Sequence, residues 1–268
     1  MTVLRAGCLQ GETAIVTGGG RGIGKSIAIR LAELGASVGV IGRTESDLLD
    51  TIRELSQYDH AATFLAGNIR DVDFVDRAAE HMRSELGNAT ILINNAGGQF
   101  AADFVDISDN GWRAVVDLNL HGTRNMMLRF GPQMIEGGVG GRIVNVVGSN
   151  YDRGMPGFSH SGAARAGVVH LSRSLGVEWA QYGISINNIG PMVLTAGAQK
   201  GYGDAGVTRL ARQIPMGRWG DVSDHADVVA FYCTSAASFI TGSLIPFDGA
   251  NYLGPGVDMS RVEDSAGG

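Results

Sequence analysis

The sequence predicts an α/β chain: a doubly wound, seven-stranded parallel sheet with helices on both faces. Three observations predict it. Short apolar runs bounded by turn residues alternate with longer segments of helical period, the pattern of repeated βαβ units. A glycine-rich turn, TGGGRGIG (Thr17 to Gly24), joins the first apolar run to the first helical one. The 268 residues are enough for one large core and short for two, and no Gly/Ser-rich linker, low-complexity run or repeat divides them. A single domain over 1–268 is expected.

The strands are read in order as TAIVT (13–17), SVGVI (37–41), ATFLA (62–66), ILINN (91–95), RIVNVV (142–147), ISINNI (184–189) and SLIPF (243–247). Each is short, apolar and rich in β-branched residues, as a strand covered on both faces must be. Between them, GKSIAIRLAELG and GAARAGVVHLSRSLGVEWAQYG carry apolar residues at spacings of three and four and close on Gly, a common helix stop. Their apolar stripes read as core packing.

Composition excludes several classes. A net charge of -6 with scattered Lys and Arg makes no basic stripe, so no nucleic-acid partner is expected. The two cysteines, Cys8 and Cys233, lack metal-ligand spacing and fit a reduced compartment. No run of 18 apolar residues and no signal-peptide pattern occurs, so a cytoplasmic chain without a membrane partner is expected. Heavy use of Gly (41) against Pro (6) points to turns and cofactor loops.

TGGGRGIG follows a strand and opens a helix, which is the setting for a dinucleotide pyrophosphate. Glycines allow close backbone approach, and the helix N-terminus offers unpaired N–H groups. Gly18, Arg21, Gly22, Ile23 and Gly24 are the candidates. After the second strand an NAD site presents a carboxylate; here VIGRTES places Gly42 and then Arg43. Arg43, helped by Arg21 in the glycine-rich turn and by Thr44, would fork onto a 2′-phosphate, so NADPH is the expected cofactor. The plain alternative is a solvated loop arginine.

TGGGRGIG, NNAGG (94–98), Asn119 in DLNLHG and the turn from Pro191 to Thr195 together make the chain resemble the short-chain dehydrogenase/reductase family over nearly its whole length. The resemblance implies a Rossmann-type fold, a nicotinamide cofactor across the C-terminal strand ends and a homotetramer. It also implies Asn68 and Ile69 near the adenine, Asn95, Ala96 and Gly97 near the ribose, Thr195 near the pyrophosphate, and Pro191 and Leu194 near the nicotinamide. The last turn reads PMVLT, with Met192 where the family has Gly and one residue fewer. Within the family, HSGAARAGV, NNAGGQF, LGVEWA and SAASFITG are most similar to the peroxisomal trans-2-enoyl-CoA reductase branch, relatives of the 2,4-dienoyl-CoA reductases. That branch implies NADPH-dependent reduction of a double bond conjugated to a thioester.

HSGAAR (160–165) stands where the family has a proton-donating Tyr and, four residues on, a Lys; here these are Ser161 and Arg165. Ser is a poor acid and Arg does not release its proton. Ketone reduction needs such an acid, whereas an enolate needs hydrogen-bond donors in place. The missing phenol therefore favours an acyl thioester substrate reduced through an enolate. Arg165, one turn beyond Ser161 on the same face, would offer charge to the nicotinamide ribose. Tyr151, Ser149 and Ser161 compete as donor to the substrate oxygen. Asn119 is implied to steady a backbone kink and to help bind that oxygen. His160 reads as a packed histidine, and residues 196–221 as a substrate lid with Lys200, Arg209, Arg212 and Arg218 on it. Two other readings remain: an NADPH-dependent carbonyl or imine reductase using Tyr151, and a catalytically inactive cofactor-binding subunit.

Overall fold

The computed structural model describes residues 4–149, 152 and 154–254. All seven expected strands form: β1 (Thr13–Thr17), β2 (Ser37–Gly42), β3 (Ala62–Ala66), β4 (Ile91–Asn94), β5 (Gly141–Val146), β6 (Ile184–Pro191) and β7 (Leu244–Phe247). They pair in parallel, in the order β3-β2-β1-β4-β5-β6-β7. The order reverses direction between β1 and β4, so the crevice at their C-terminal ends is the place for a ligand.

The helices are α1 (Gly22–Glu33), α2 (Glu45–Leu55), α3 (Val72–Leu86), α4 (Asp109–Val116), α5 (Gly122–Gly137), α6 (Ser159–Glu178), α7 (Ala196–Ala211) and α8 (Val222–Cys233). Strand side chains alternate between two cores. Val16, Ile93 and Val144 meet Leu31 and Val229 of α1 and α8, while Ile15, Leu92 and Ile143 meet Val75 and Phe130 of α3 and α5. This period of two on an all-buried strand covers both faces of the sheet. Each fully buried Leu, Ile or Phe contributes about 1.5–3 kcal/mol relative to exposure.

One polar feature crosses the centre. Asn94, Asn145 and Asn188 sit side by side on β4, β5 and β6. Asn94 Nδ2 donates to Asn145 Oδ1 (2.8 Å), and Asn145 Nδ2 donates to Ser172 Oγ (2.9 Å) and Asn188 Oδ1 (3.2 Å). Ser172 Oγ donates in turn to Asn188 Oδ1 at 2.8 Å. The buried amides are tolerated because they hydrogen-bond to one another, although Asn94 Oδ1 has no partner among the described residues. The consequence is rotational: Ser172 ties α6 to the sheet, and residues 161, 165, 168 and 172 share its face. That tie turns Ser161 and Arg165 toward the strand ends.

The 196–221 segment is mostly helical. α7 breaks at Gly203 (φ 63°, ψ 168°), a conformation glycine adopts freely. Trp219 Nε1 donates to Val207 O at 3.0 Å, and Trp219 stacks on Tyr202, which holds the segment together. No helix among the described residues is long and apolar enough to cross a membrane.

Candidate active site

β1 ends at Thr17, whose hydroxyl accepts from the backbone N–H groups of Asn95 and Ala96, both at 3.0 Å. The Asn95 amide donates back to Thr17 O (3.0 Å) and Gly18 O (3.3 Å). This clamp joins the ends of β1 and β4 and leaves no spare volume. A Cβ on Gly24 would lie 2.2 Å from Gly18 O, and Gly18 itself has φ +67°. Only glycine lets the turn fold so closely onto the start of α1.

α1 begins with Arg21 as its N-cap, which makes no side-chain cap. The first N–H groups, at Gly22, Ile23 and Gly24, therefore receive no side-chain acceptor from the N-cap. Thr195, the N-cap of α7, lies against Gly22, its Cγ2 3.7 Å from where a Cβ would be. Two helix N-termini meet there, and their dipoles and the room at Gly22 fit a pyrophosphate. Arg43, at the end of β2, is exposed, as is Arg21, and neither has an ion-pair partner among the described residues. Asn68 Oδ1 accepts from Arg70 N at 3.2 Å. Ile69 is buried against the start of α5, with its carbonyl taking Asn125 Nδ2 at 3.1 Å.

The other half of the cleft is built around the segment after β4. A five-residue π turn (Asp117–His121) joins α4 to α5 and carries buried Asn119 at its middle. Asn119 Nδ2 donates to Gly98 O (2.8 Å) and Val115 O (2.9 Å), and Oδ1 accepts from Gly98 N (3.1 Å). Both donor hydrogens are engaged. Asn119 therefore holds Gly98 as a neighbouring strand would and has no N–H left for a substrate oxygen.

Ser161 is fully buried, and its hydroxyl donates to Gln99 Oε1 at 2.6 Å. Gln99 is exposed, and with its oxygen taken its Nε2 hydrogens have no protein partner among the described residues. His160 is likewise fully buried, 4.5 Å from the Phe100 ring; burial lowers its pKa and keeps it neutral. Gln99–Phe100 thus pair with Ser161–His160 and pin the segment to α6. Gln99 escaped the sequence reading; its only signal was a polar residue between Gly98 and Phe100, just past a strand end in the cofactor crevice.

Arg165 is partly buried. Its Nη1 donates to Val146 O at 2.9 Å, and a Cβ on Gly97 would lie 2.9 Å from Nη2 and 2.7 Å from Asn119 Oδ1. Its Nε is buried without a partner, and no carboxylate pairs with it among the described residues. Burial pushes the guanidinium down to about 10, still protonated at neutral pH. An uncompensated cation in a cleft is costly and marks a place for an electron-rich ligand group. Ser149 Oγ donates to Met192 Sδ at 3.5 Å. Leu194 N–H is taken by Gly220 O at 3.3 Å, beside a bridge between Val193 and Gly220. Pro191 ends β6 next to these residues. Tyr151 lies outside the described residues.

A parallel doubly wound sheet with a glycine cradle, two converging helix N-termini and an unpaired cation at the strand ends is the architecture of a dinucleotide-dependent oxidoreductase. The chain belongs to the short-chain dehydrogenase/reductase family: residues 18–250 match the family model described as Enoyl-(Acyl carrier protein) reductase. It is 34% identical over 255 residues to a protein of Bacillus subtilis named a probable 2,4-dienoyl-CoA reductase, covering 92% of this chain and 99% of that one. It is also 31% identical to the 3-oxoacyl-(acyl-carrier-protein) reductase of Staphylococcus epidermidis, covering 90% of this chain and 99% of the other. Among solved structures, a short chain dehydrogenase from Bacillus anthracis superposes with a TM-score of 0.83 at 33% identity, covering 91% and 98% of the two chains. A variant of actinorhodin polyketide ketoreductase with NADPH gives 0.86 at 29%, covering 92% and 99%.

Proposed function

We propose that this oxidoreductase uses NADPH to reduce the carbon–carbon double bond of a 2-enoyl thioester through an enolate. The observation that carries the reading is the Ser161–Gln99 pair beside Arg165. Neither Ser161 nor Arg165 passes a proton to an alkoxide: the serine is buried and bonded elsewhere, and the arginine holds its proton. Gln99 Nε2 is left as a donor at the strand ends, which suits an oxygen that gains charge and is not itself protonated.

The dinucleotide supplies the hydride when bound. Gly18 to Gly24 and Thr195 would hold its pyrophosphate, Arg43 and Arg21 its 2′-phosphate, and Arg165 its nicotinamide ribose. On the substrate, a hydride at the β-carbon breaks the π bond and moves charge onto the thioester oxygen. Gln99, with Tyr151 as a second donor from sequence alone, stabilises that oxygen. Water then protonates the α-carbon. Asn119 is a positioning residue here: it fixes Gly98 and so the approach of Gln99. The segment 196–221 covers the acyl chain.

The relatives named for 2,4-dienoyl-CoA and for 3-oxoacyl carriers support an acyl thioester and divide over which bond is reduced. NADPH oxidation measured with crotonyl-CoA, with acetoacetyl-CoA and with no acceptor separates the readings. Turnover with crotonyl-CoA alone is the expected result. Preference for acetoacetyl-CoA would make the protein a carbonyl reductase, and no turnover with either would overturn the acyl thioester reading.

A further inference from the structure

We propose that Met192 helps select the bond reduced, by holding the Ser149 hydroxyl away from the substrate oxygen. The proposal rests on the enoyl reading and explains how the same cleft would disfavour carbonyl reduction.

The backbone of Met192 is pinned in both directions. Its N–H donates to Phe247 O at 2.8 Å, and its carbonyl accepts from Gly220 N at 3.0 Å. Gly220 has no slack: a Cβ there would lie 2.8 Å from Phe247 Cε1 and 3.2 Å from Met192 O. The shortened PMVLT turn therefore stays closed on Gly220, and only the Met192 side chain is left to vary. It places Sδ 3.5 Å from Ser149 Oγ. A thioether accepts and never donates, so the hydrogen of this pair belongs to the serine. No other side-chain partner of Ser149 occurs among the described residues.

The chemical consequence follows from direction. A hydroxyl whose hydrogen points at sulfur presents lone pairs to a substrate oxygen, and it must turn off Sδ before it can donate to an alkoxide. Ser149, which β5 and the left-handed Gly148 (φ +69°) carry to the strand end, is thus withdrawn from the donor set. Among the described residues what remains is the Gln99 amide, with Tyr151 as the second donor from sequence alone. An amide N–H stabilises an oxyanion without delivering a proton, and that serves an enolate, whose proton arrives at carbon.

The test compares kcat/KM for acetoacetyl-CoA and crotonyl-CoA in the wild type, Met192→Leu, Ser149→Ala and the double variant. Leucine keeps the volume and removes the acceptor. Met192→Leu is expected to raise the acetoacetyl/crotonyl ratio at least fivefold, and Ser149→Ala in the same chain to abolish that rise, with KM for NADPH unchanged. A merely structural Met192 would not make the rise depend on Ser149. An unmoved ratio, or a rise that persists without the hydroxyl, overturns the proposal and leaves enoyl reduction standing. A wild type inert toward crotonyl-CoA overturns the enoyl reading and this proposal with it. If thermal unfolding shows that Met192→Leu does not fold, the same comparison with Met192→Ala decides by the same criteria.

Discussion

Replacing Gln99 by Leu separates catalysis from stability at one side chain. The substitution removes the Nε2 donor from the strand-end crevice and, at the same time, the oxygen that takes the Ser161 hydrogen at 2.6 Å. Loss of one preorganised oxyanion donor typically costs about 2.7–4 kcal/mol of transition-state stabilisation, roughly 100- to 1000-fold in kcat. Ser161 is fully buried, so its orphaned hydroxyl adds a folding penalty of about 1–3 kcal/mol. Steady-state NADPH oxidation with crotonyl-CoA reads the first effect, and urea unfolding reads the second. NADPH affinity, measured by fluorescence titration, is expected to stay within threefold, because the glycine turn and Arg43 are untouched. Ser161→Ala should do less: the Gln99 oxygen is within reach of solvent, and the amide loses orientation without losing its donor. Near-normal kcat in Gln99→Leu, with the stability loss present, would show that the amide packs the loop and takes no part in the chemistry.

Three further outcomes are expected. Arg43→Ala raises KM for NADPH at least tenfold, about 1.4 kcal/mol, and leaves NADH little changed; equal loss with both cofactors would make Arg43 structural. Ser161→Tyr forces a ring into a fully buried position and lowers stability by about 1–3 kcal/mol, without restoring ketone reduction; a stable variant that reduces acetone-like ketones would contradict the packing described. His225 is fully buried against Phe247, and burial lowers its pKa from 6.5 to about 4. Between those values the unfolded chain binds the extra proton, so stability is full above pH 6.5 and falls as the pH drops toward 4. The loss totals about 3 kcal/mol at 1.36 kcal/mol per unit. Urea unfolding at pH 7.5 and 4.5 should show this loss shrinking in His225→Leu, and identical pH dependence in the two proteins would refute it.

Local pattern determined the architecture and the glycine turn that follows β1. All seven strands lie where apolar runs meet turn residues, because a strand buried on both faces must be apolar along its whole length. The glycine cradle was equally legible, since Gly18 and Gly24 answer a backbone demand that no other residue meets. HSGAAR announced the missing acid only by resemblance to the family, which has Tyr and Lys where Ser161 and Arg165 stand.

Tertiary structure decided how the polar groups are used. Residue type says what Asn119, Ser161 and Ser149 can donate, and never to which partner. Asn119 turned out to be engaged with Gly98 and Val115 through the π turn, Ser161 with Gln99 across 62 positions, and Ser149 with Met192 across 43. Gly98 and Gln99 arrive from the segment after β4, Val115 from α4 and Met192 from the end of β6. Hydrogen bonds are directional and saturable, so which donor remains for a substrate is settled by what the fold has already brought within about 3 Å of it.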